Sequence, residues 1–453
     1  MKLNQGASKS TKRYIIDGIK YVCENFKERS PGSYSERKAQ KYLKNELEQF
    51  ADEVEMEDFE VHPAAFMGWI PAAGILSIIS VILFWITYTK NYTTPAIALV
   101  SLIITLFSTL CLIFEFLLYR PFVDFLFPKK TSRNVFARRK SSGETKKRII
   151  FGGHTDAANE WTYSFHGGIK TLAPVMAGAV SGLLFITLFD LVWTVYAFAA
   201  PHAVDFEQML HNSNWWLVFG IIQLLFVPFF IAILFFINWG VVVDGANDNL
   251  TADYIAMAVL KEMKDRDIRL ENTEVCALLS GSEEAGLRGA LAYAKRHCEE
   301  WQNEYVETIF VAMDTMHEID RLQLYTRGCT GTQKNSNAVA ELMYEAGQKC
   351  GLDLKETNIY PGAVDAEAFS RVTHNMVESV GFCGVNHNPK TYYHTRMDTA
   401  DNINEECIFK ALDVCLEAAQ LYDDVENIDH FRLKGNERFK KGAPYGDTRA
   451  YKG

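Results

Sequence analysis

Five short segments of the chain gather imidazole and carboxylate side chains: GGHTD at 152–156, GANDN at 245–249, SGSEEAG at 280–286, VAMDT at 311–315 and YYHTRMDTADN at 392–402. They offer His154, Asp156, Asp248, Glu283, Glu284, Asp314 and His394. Imidazole and carboxylate without thiolate suit zinc in a hydrolytic site, with manganese or cobalt as substitutes. Each segment taken singly has a plainer reading. A lone His after a strand is usually a hydrogen-bonded core or loop residue. Paired Glu residues favour the start of a helix, where the macrodipole stabilises acids. Asp248 in GANDNLTADY has the setting of a helix cap. Five such segments in one chain go beyond what those separate readings predict.

The elements around them indicate how the side chains converge. TEVCALLSG and ETIFVAMD are apolar runs of strand length, and each ends in acidic residues. EVEMEDFEV alternates as a strand does, and NVFARR, SSGE and KKRIIFGG together predict a hairpin whose second strand ends at His154. Helical periodicity runs from Lys12 to Phe50 around the turn-forming SPGSYSE, and again over Asn249–Met263 and Glu284–His297. The predicted class is α/β, a mostly parallel mixed sheet sandwiched by helices, with the site along one sheet edge.

Four apolar runs interrupt this pattern: Val61–Thr89, Asn91–Phe114, Thr171–Ala200 with Asp190 inside it, and Met209–Val243. Roughly 20 apolar residues cross the hydrocarbon core as a helix, so each run is long enough. Trp69, Trp85, Trp215, Trp216 and Trp239 lie near run ends, as interfacial anchors do. Short intervening loops make two hairpins, which leaves all three polar blocks on one side. The block from Arg120 to Lys170 carries eleven Lys and Arg, whereas the loops inside the hairpins carry only Lys90. That bias predicts a cytoplasmic catalytic domain in an integral plasma-membrane protein of a bacterium-like cell. The expected division is 1–62, 120–170 and 241–425 as pieces of one domain, 63–119 and 171–240 as transmembrane hairpins, and 426–453 as a loosely ordered polar tail. Asp190 is expected to face another helix or mark a bend. Glu115 reads as interfacial, and His166 and Lys170 as juxtamembrane polar residues.

The 453 residues carry 56 acidic and 46 basic side chains, a net charge of −10, which argues against a nucleic-acid partner. Nine unpatterned cysteines read as reduced thiols rather than a disulfide framework. Cys329 and Cys383, in Gly-flanked contexts, have no evident His partner and are not read as nucleophiles.

As an ordered set the five segments resemble metallopeptidase family twenty-eight, the co-catalytic zinc exopeptidases of the bacterial leucyl aminopeptidase type. Glutamate carboxypeptidase, glutaminyl cyclase and the inactive transferrin-receptor and nicastrin branches share that family. The resemblance runs from RSPGSYSERKAQKYL through VDAEAFSR to the helix after YHTRMDTADNI, and leaves out the four apolar runs. It implies the zinc exopeptidase fold and two zinc ions, with Asp248 bridging both. Glu284 and His394 would complete one site, and His154 and Asp314 the other. Asp156 would orient the His154 imidazole, and Glu283 would be the general base. Two divalent ions bring four positive charges against three negative ones from Asp248, Glu284 and Asp314, so one hydroxide neutralises the cluster. Tyr392 or Tyr393 is a candidate donor to an oxyanion.

The resemblance further implies an aminopeptidase acting on peptides, with both membrane hairpins growing out of the catalytic domain and holding its site beside the bilayer. A glutaminyl-cyclase-type aminoacyl transferase and a non-catalytic membrane protein that binds a partner are the alternatives. Side-chain preference and oligomeric state are not legible.

Overall fold

The computed structural model describes residues 3, 6–90, 95–199, 214–303, 305–328, 330, 333–358, 362–386 and 392–440. The start of the second apolar run, the end of the third, the start of the fourth, residues 201–213, Cys329 and residues 441–453 fall outside them. Two compact units are interleaved along the chain. One comprises 1–63, 128–160 and 240–453, the other 64–127 and 161–239.

The strands are β1 (Glu53–Val61), β2 (Lys130–Arg139), β3 (Lys147–His154), β4 (Asn159–Trp161), β5 (Ile237–Val242), β6 (Thr273–Ser280), β7 (Glu307–Met316), β8 (Gln323–Arg327), β9 (Lys355–Asn358) and β10 (Glu378–Gly384), all but β4 and β5 lying wholly in the first unit. Eight of them form one mixed sheet in the order β1-β2-β6-β3-β7-β10-β8-β9, while β4 and β5 pair with each other. The centre, β6-β3-β7-β10, is parallel throughout.

Both faces of this sheet are covered, which is why the central strands read as continuous apolar runs. On one face Ile149, Phe151, Val275, Ala277, Ile309 and Val311 enter the main core with the helices Thr251–Asp265 and Glu405–Asp424. On the other, Phe310 meets Phe369 at 4.4 Å and Phe136 meets Tyr293 at 5.5 Å, from the helices Asp365–Val372 and Arg288–Asn303.

Three sequence expectations are corrected. First, β2 and β3 are not a hairpin, because β6 lies between them, antiparallel to β2 and parallel to β3. The SSGE turn instead hydrogen-bonds to the segment leading into β6, through Ser142 N to Leu270 O (2.8 Å) and Gly143 N to Glu271 O (3.0 Å). The other neighbour of β2 is β1, also antiparallel and paired from Glu53↔Arg138 to Val61↔Lys130. Second, the last apolar run does not stay helical to its end. Its helix is Asn214–Ile233, and Trp239 lies in β5. Third, residues 426–440 are not a loose tail. Asp429–Arg438 is a helix with Phe431 buried, and Arg438 Nε donates to Glu341 Oε2 at 2.7 Å.

The second unit contains four helices long and apolar enough to cross a membrane: Ala65–Thr89, Pro95–Leu117, Ile169–Ala199 and Asn214–Ile233. Small residues let their backbones approach: Gly178 and Gly182 lie against Phe229 and Phe226, and Gly74 against the Phe230 carbonyl. Glu115, read as interfacial, is fully buried and accepts the N–H groups of Phe122 (2.5 Å) and Val123 (2.8 Å).

Candidate metal centre

The parallel strands deliver their carboxyl ends to one edge of the sheet, and the candidate residues cluster there. His154 is the last residue of β3, and Asp314 lies near the end of β7. Glu283 and Glu284 occupy the tight turn that follows β6. Asp248 sits in the irregular turn Ala246–Leu250 that opens the helix Thr251–Asp265, and His394 in the segment after β10.

Three donor groups converge, the ligand atoms within each lying within 4.8 Å of one another: His154, Asp248 and Asp314; Asp248, Glu284 and His394; and His154, Glu283 and Glu284. Asp248 is common to the first two. Its Oδ1 is 3.2 Å from His154 Nε2 and its Oδ2 is 3.1 Å from His394 Nε2. Glu284 Oε1 is 3.1 Å from His394 Nε2, and Glu283 Oε2 is 3.7 Å from His154 Nε2.

The donor chemistry fits divalent cations. Hard oxygen and nitrogen donors face one another, and Asp248 Oδ2 and both His154 ring nitrogens are buried without a hydrogen bond. The electrostatics agree. Burial raises the Glu283 carboxyl well above its ordinary value, Glu284 and Asp314 adding to this against the pull of His154. Burial, with the Asp248 charge, lifts Asp314 to about 8. Burial alone would depress His154, yet Glu283, Asp156 and Asp248 hold it well above an ordinary imidazole. Burial would raise Asp248, yet His154 and His394 hold it below the usual range. This is a concentration of acids in a low-dielectric edge, and positive charge relieves it.

Asp156, expected to orient His154, and neighbouring residues that sequence reading did not single out fix the loops. Asp156 lies 3.5 Å from His154 Nδ1, and both its oxygens also accept backbone N–H groups, from Glu283 and Glu284 at 3.0 Å each. Glu36, buried in the helix Tyr34–Leu47, accepts from Ser282 N (2.8 Å), Ser132 Oγ (2.8 Å) and Gly32 N (2.7 Å). Ser282 has φ of 52°, a left-handed conformation that a non-glycine residue keeps only when its surroundings impose it. Arg29 donates to Thr155 O (3.1 Å) and Asp244 O (2.7 Å), joining the loops of His154 and Asp248. Asp398 accepts from Asn247 N (2.7 Å) and Asp248 N (3.2 Å). Asn249 accepts from Thr315 N and donates to Met313 O, which ties the Asp248 turn to β7. Glu160 takes a two-pronged ion pair from Arg396 at 2.6 and 2.7 Å, bracing the His394 loop. The only sequence signal for Asp398 and Arg396 was their place in the His394 segment. Arg29 and Glu36 lay within the stretch that carried the family resemblance.

The remaining candidates fall elsewhere. The Tyr392 hydroxyl accepts the Asn386 N–H at 2.7 Å, and the Tyr393 ring stacks on His394 at 4.1 Å. Cys383 is buried within β10. His166 and Lys170 belong to the unit that holds the long apolar helices.

Comparison with known proteins bears on the fold. No curated protein matches the sequence. Among solved structures, the aminopeptidase from Aneurinibacillus sp. strain AM-1 is similar with a TM-score of 0.52 and 13% identity, covering 93% of this chain and 94% of its own. The Fimbriiglobus ruber glutaminyl cyclase gives 0.51 and 14%, covering 90% and 95%. The zinc aminopeptidase of Bacillus subtilis gives 0.50 and 13%, covering 91% and 95%. The fold is therefore that of these exopeptidase-like enzymes. The sequence model of peptidase family M28 matches residues 235–419, a stretch holding Asp248, Glu283, Glu284, Asp314 and His394.

Proposed function

We propose that the protein is a membrane-anchored zinc exopeptidase that removes N-terminal residues from peptides. The observation that carries this reading is the pair of donor groups sharing Asp248, with Glu283 beside them. Asp248, His154 and Asp314 would hold one zinc ion, and Asp248, Glu284 and His394 a second. Bound zinc acidifies water and polarises the scissile carbonyl. Glu283, outside both of those sets, takes the proton from the attacking water and returns it to the leaving amine. Asp156 keeps Glu283 and Glu284 in register through their backbone N–H groups. Glu160 and Asp398 hold the His394 and Asp248 loops, so the ligands are positioned before substrate arrives.

The four apolar helices insert in the bilayer, and the Lys and Arg bias places the peptidase unit on the cytoplasmic side. Labelling of a cysteine added within 201–213 by an impermeant reagent from outside intact cells tests that orientation. Protection from the reagent would reverse it.

A second reading has specific support, because structures similar to this one include glutaminyl cyclases as well as aminopeptidases. A peptide beginning with Gln separates the two. Release of free glutamine supports the peptidase. Accumulation of an intact pyroglutamyl peptide supports the cyclase.

A further inference from the structure

The peptidase reading does not use the buried acid Asp190. Asp190 lies in the middle of Ile169–Ala199 and is fully buried. Its Oδ2 accepts from Ser80 Oγ at 2.7 Å, Thr105 Oγ1 at 2.9 Å and Ser101 Oγ at 3.2 Å, so two other apolar helices supply hydroxyls to it. Ser80 and Ser101 also meet each other at 2.8 Å. Its second oxygen, Oδ1, is buried and has no hydrogen-bond partner. Both amide atoms of Gln223, from the fourth helix, are likewise buried and unpartnered.

A carboxylate that stays ionised in such a bundle is stabilised by a positive partner. Apart from Lys170 in the first turn of the third helix, the four helices contain no Lys, Arg or His. All the donors in the cluster are hard oxygens, which suits an alkali or alkaline-earth ion. One negative charge is neutralised by one monovalent ion, whereas a divalent ion would leave a net charge buried. The hydroxyls hydrogen-bond the carboxylate directly at 2.7–3.2 Å, so a cation would replace those hydrogen bonds, and so compact a cluster opens for a small ion more readily than for a large one. We propose that Asp190, Ser80, Ser101 and Thr105 form a Na⁺ site inside the four-helix unit. It is independent of the zinc centre, and its failure would leave the peptidase reading untouched.

The test is ²²Na⁺ binding to the full chain in detergent, loaded with zinc beforehand so that the acidic edge of the sheet is taken. The wild type should show one saturable site that excess K⁺ does not displace. Asp190→Asn, close to isosteric, should bind at least about tenfold more weakly for want of the one charged ligand. Thr105→Val, which keeps shape and loses one oxygen, should weaken binding less. Absence of saturable binding to the wild type would overturn the proposal and leave Asp190 as a neutral, protonated acid. Equal binding by wild type and Asp190→Asn would overturn it as well.

Discussion

The two units sort their side chains in opposite directions. In the sheet unit Ile149, Val275, Phe310 and Phe382 are fully buried. In the four-helix unit large apolar residues point outward, with Ile82, Leu188, Val195 and Leu225 about half exposed or more, while Ser80, Ser101, Thr105, Asp190 and Gln223 are inside. Water explains the first arrangement and not the second. Helices with apolar exteriors and hydroxyl-lined interiors suit a hydrocarbon solvent, where packing and polar contacts replace the hydrophobic effect as the force between helices. The handling of buried charge differs in parallel. The sheet unit crowds Asp248, Glu283, Glu284 and Asp314 around two imidazoles, whereas the helical unit keeps one carboxylate among hydroxyls.

That contrast is sharpened first by metal. Asp248 belongs to two donor groups, so Asp248→Asn should remove nearly all bound zinc, read by elemental analysis. His394→Ala should remove about half. Equal loss in both variants would mean that Asp248 does not join two sites.

Matched deletions in the two solvents give the next effect. Phe310→Ala empties a space against Phe369 and should destabilise the sheet unit by about 3–5 kcal/mol in denaturant unfolding. Phe84, stacked edge-on against Phe189 at 4.9 Å and Trp193 at 5.5 Å, is equally buried. In lipid its truncation forfeits contacts but little transfer energy, so Phe84→Ala should cost about 1–2 kcal/mol. Equal costs would break the comparison.

A smaller effect concerns the ion pair Glu160–Arg396, which braces the His394 loop. Glu160→Gln should lower kcat/KM by about tenfold while retaining zinc, since it disturbs ligand position rather than ligand number. The smallest effect lies at the sheet margin. The Arg269 guanidinium grips Asp52 with two contacts of 2.6 Å and holds its carboxyl down to about 2. A lowered folded pKa stabilises above the unfolded value and is lost on acidification. The pair should therefore contribute about 1 kcal/mol that fades between pH about 4 and 2. Asp52→Asn should remove that part of the acid slope.

Much of this was legible because the informative residues advertise themselves locally. β6 and β7 are apolar runs that end in acids, and both end at the site. β10 was not found, since ESVGFCG is rich in small residues. Gly381 is packed against Val364 and Tyr325, so a larger residue there would collide. The β2–β3 hairpin was misread because SSGE has turn chemistry, whereas the insertion of β6 depends on pairing some 130 residues away in sequence. Arg29 and Glu36 escaped notice individually for the same reason. Their polar surroundings resemble a solvated helix start, and only the fold brings Ser282 and Thr155 to them. The candidate metal-binding side chains, which the fold brings together, were picked out by type and order. The groups that hold them were not, because their partners are distant in sequence.

The central claim is tested most directly by amino-acid release from a mixed peptide library, with zinc present, comparing wild type and Glu283→Gln. The account predicts stepwise N-terminal trimming by the wild type. In Glu283→Gln, which should retain its zinc, the rate should fall by about 10²–10⁴-fold. Trimming at an undiminished rate in the variant, or no release of terminal residues by a zinc-loaded wild type, would contradict it.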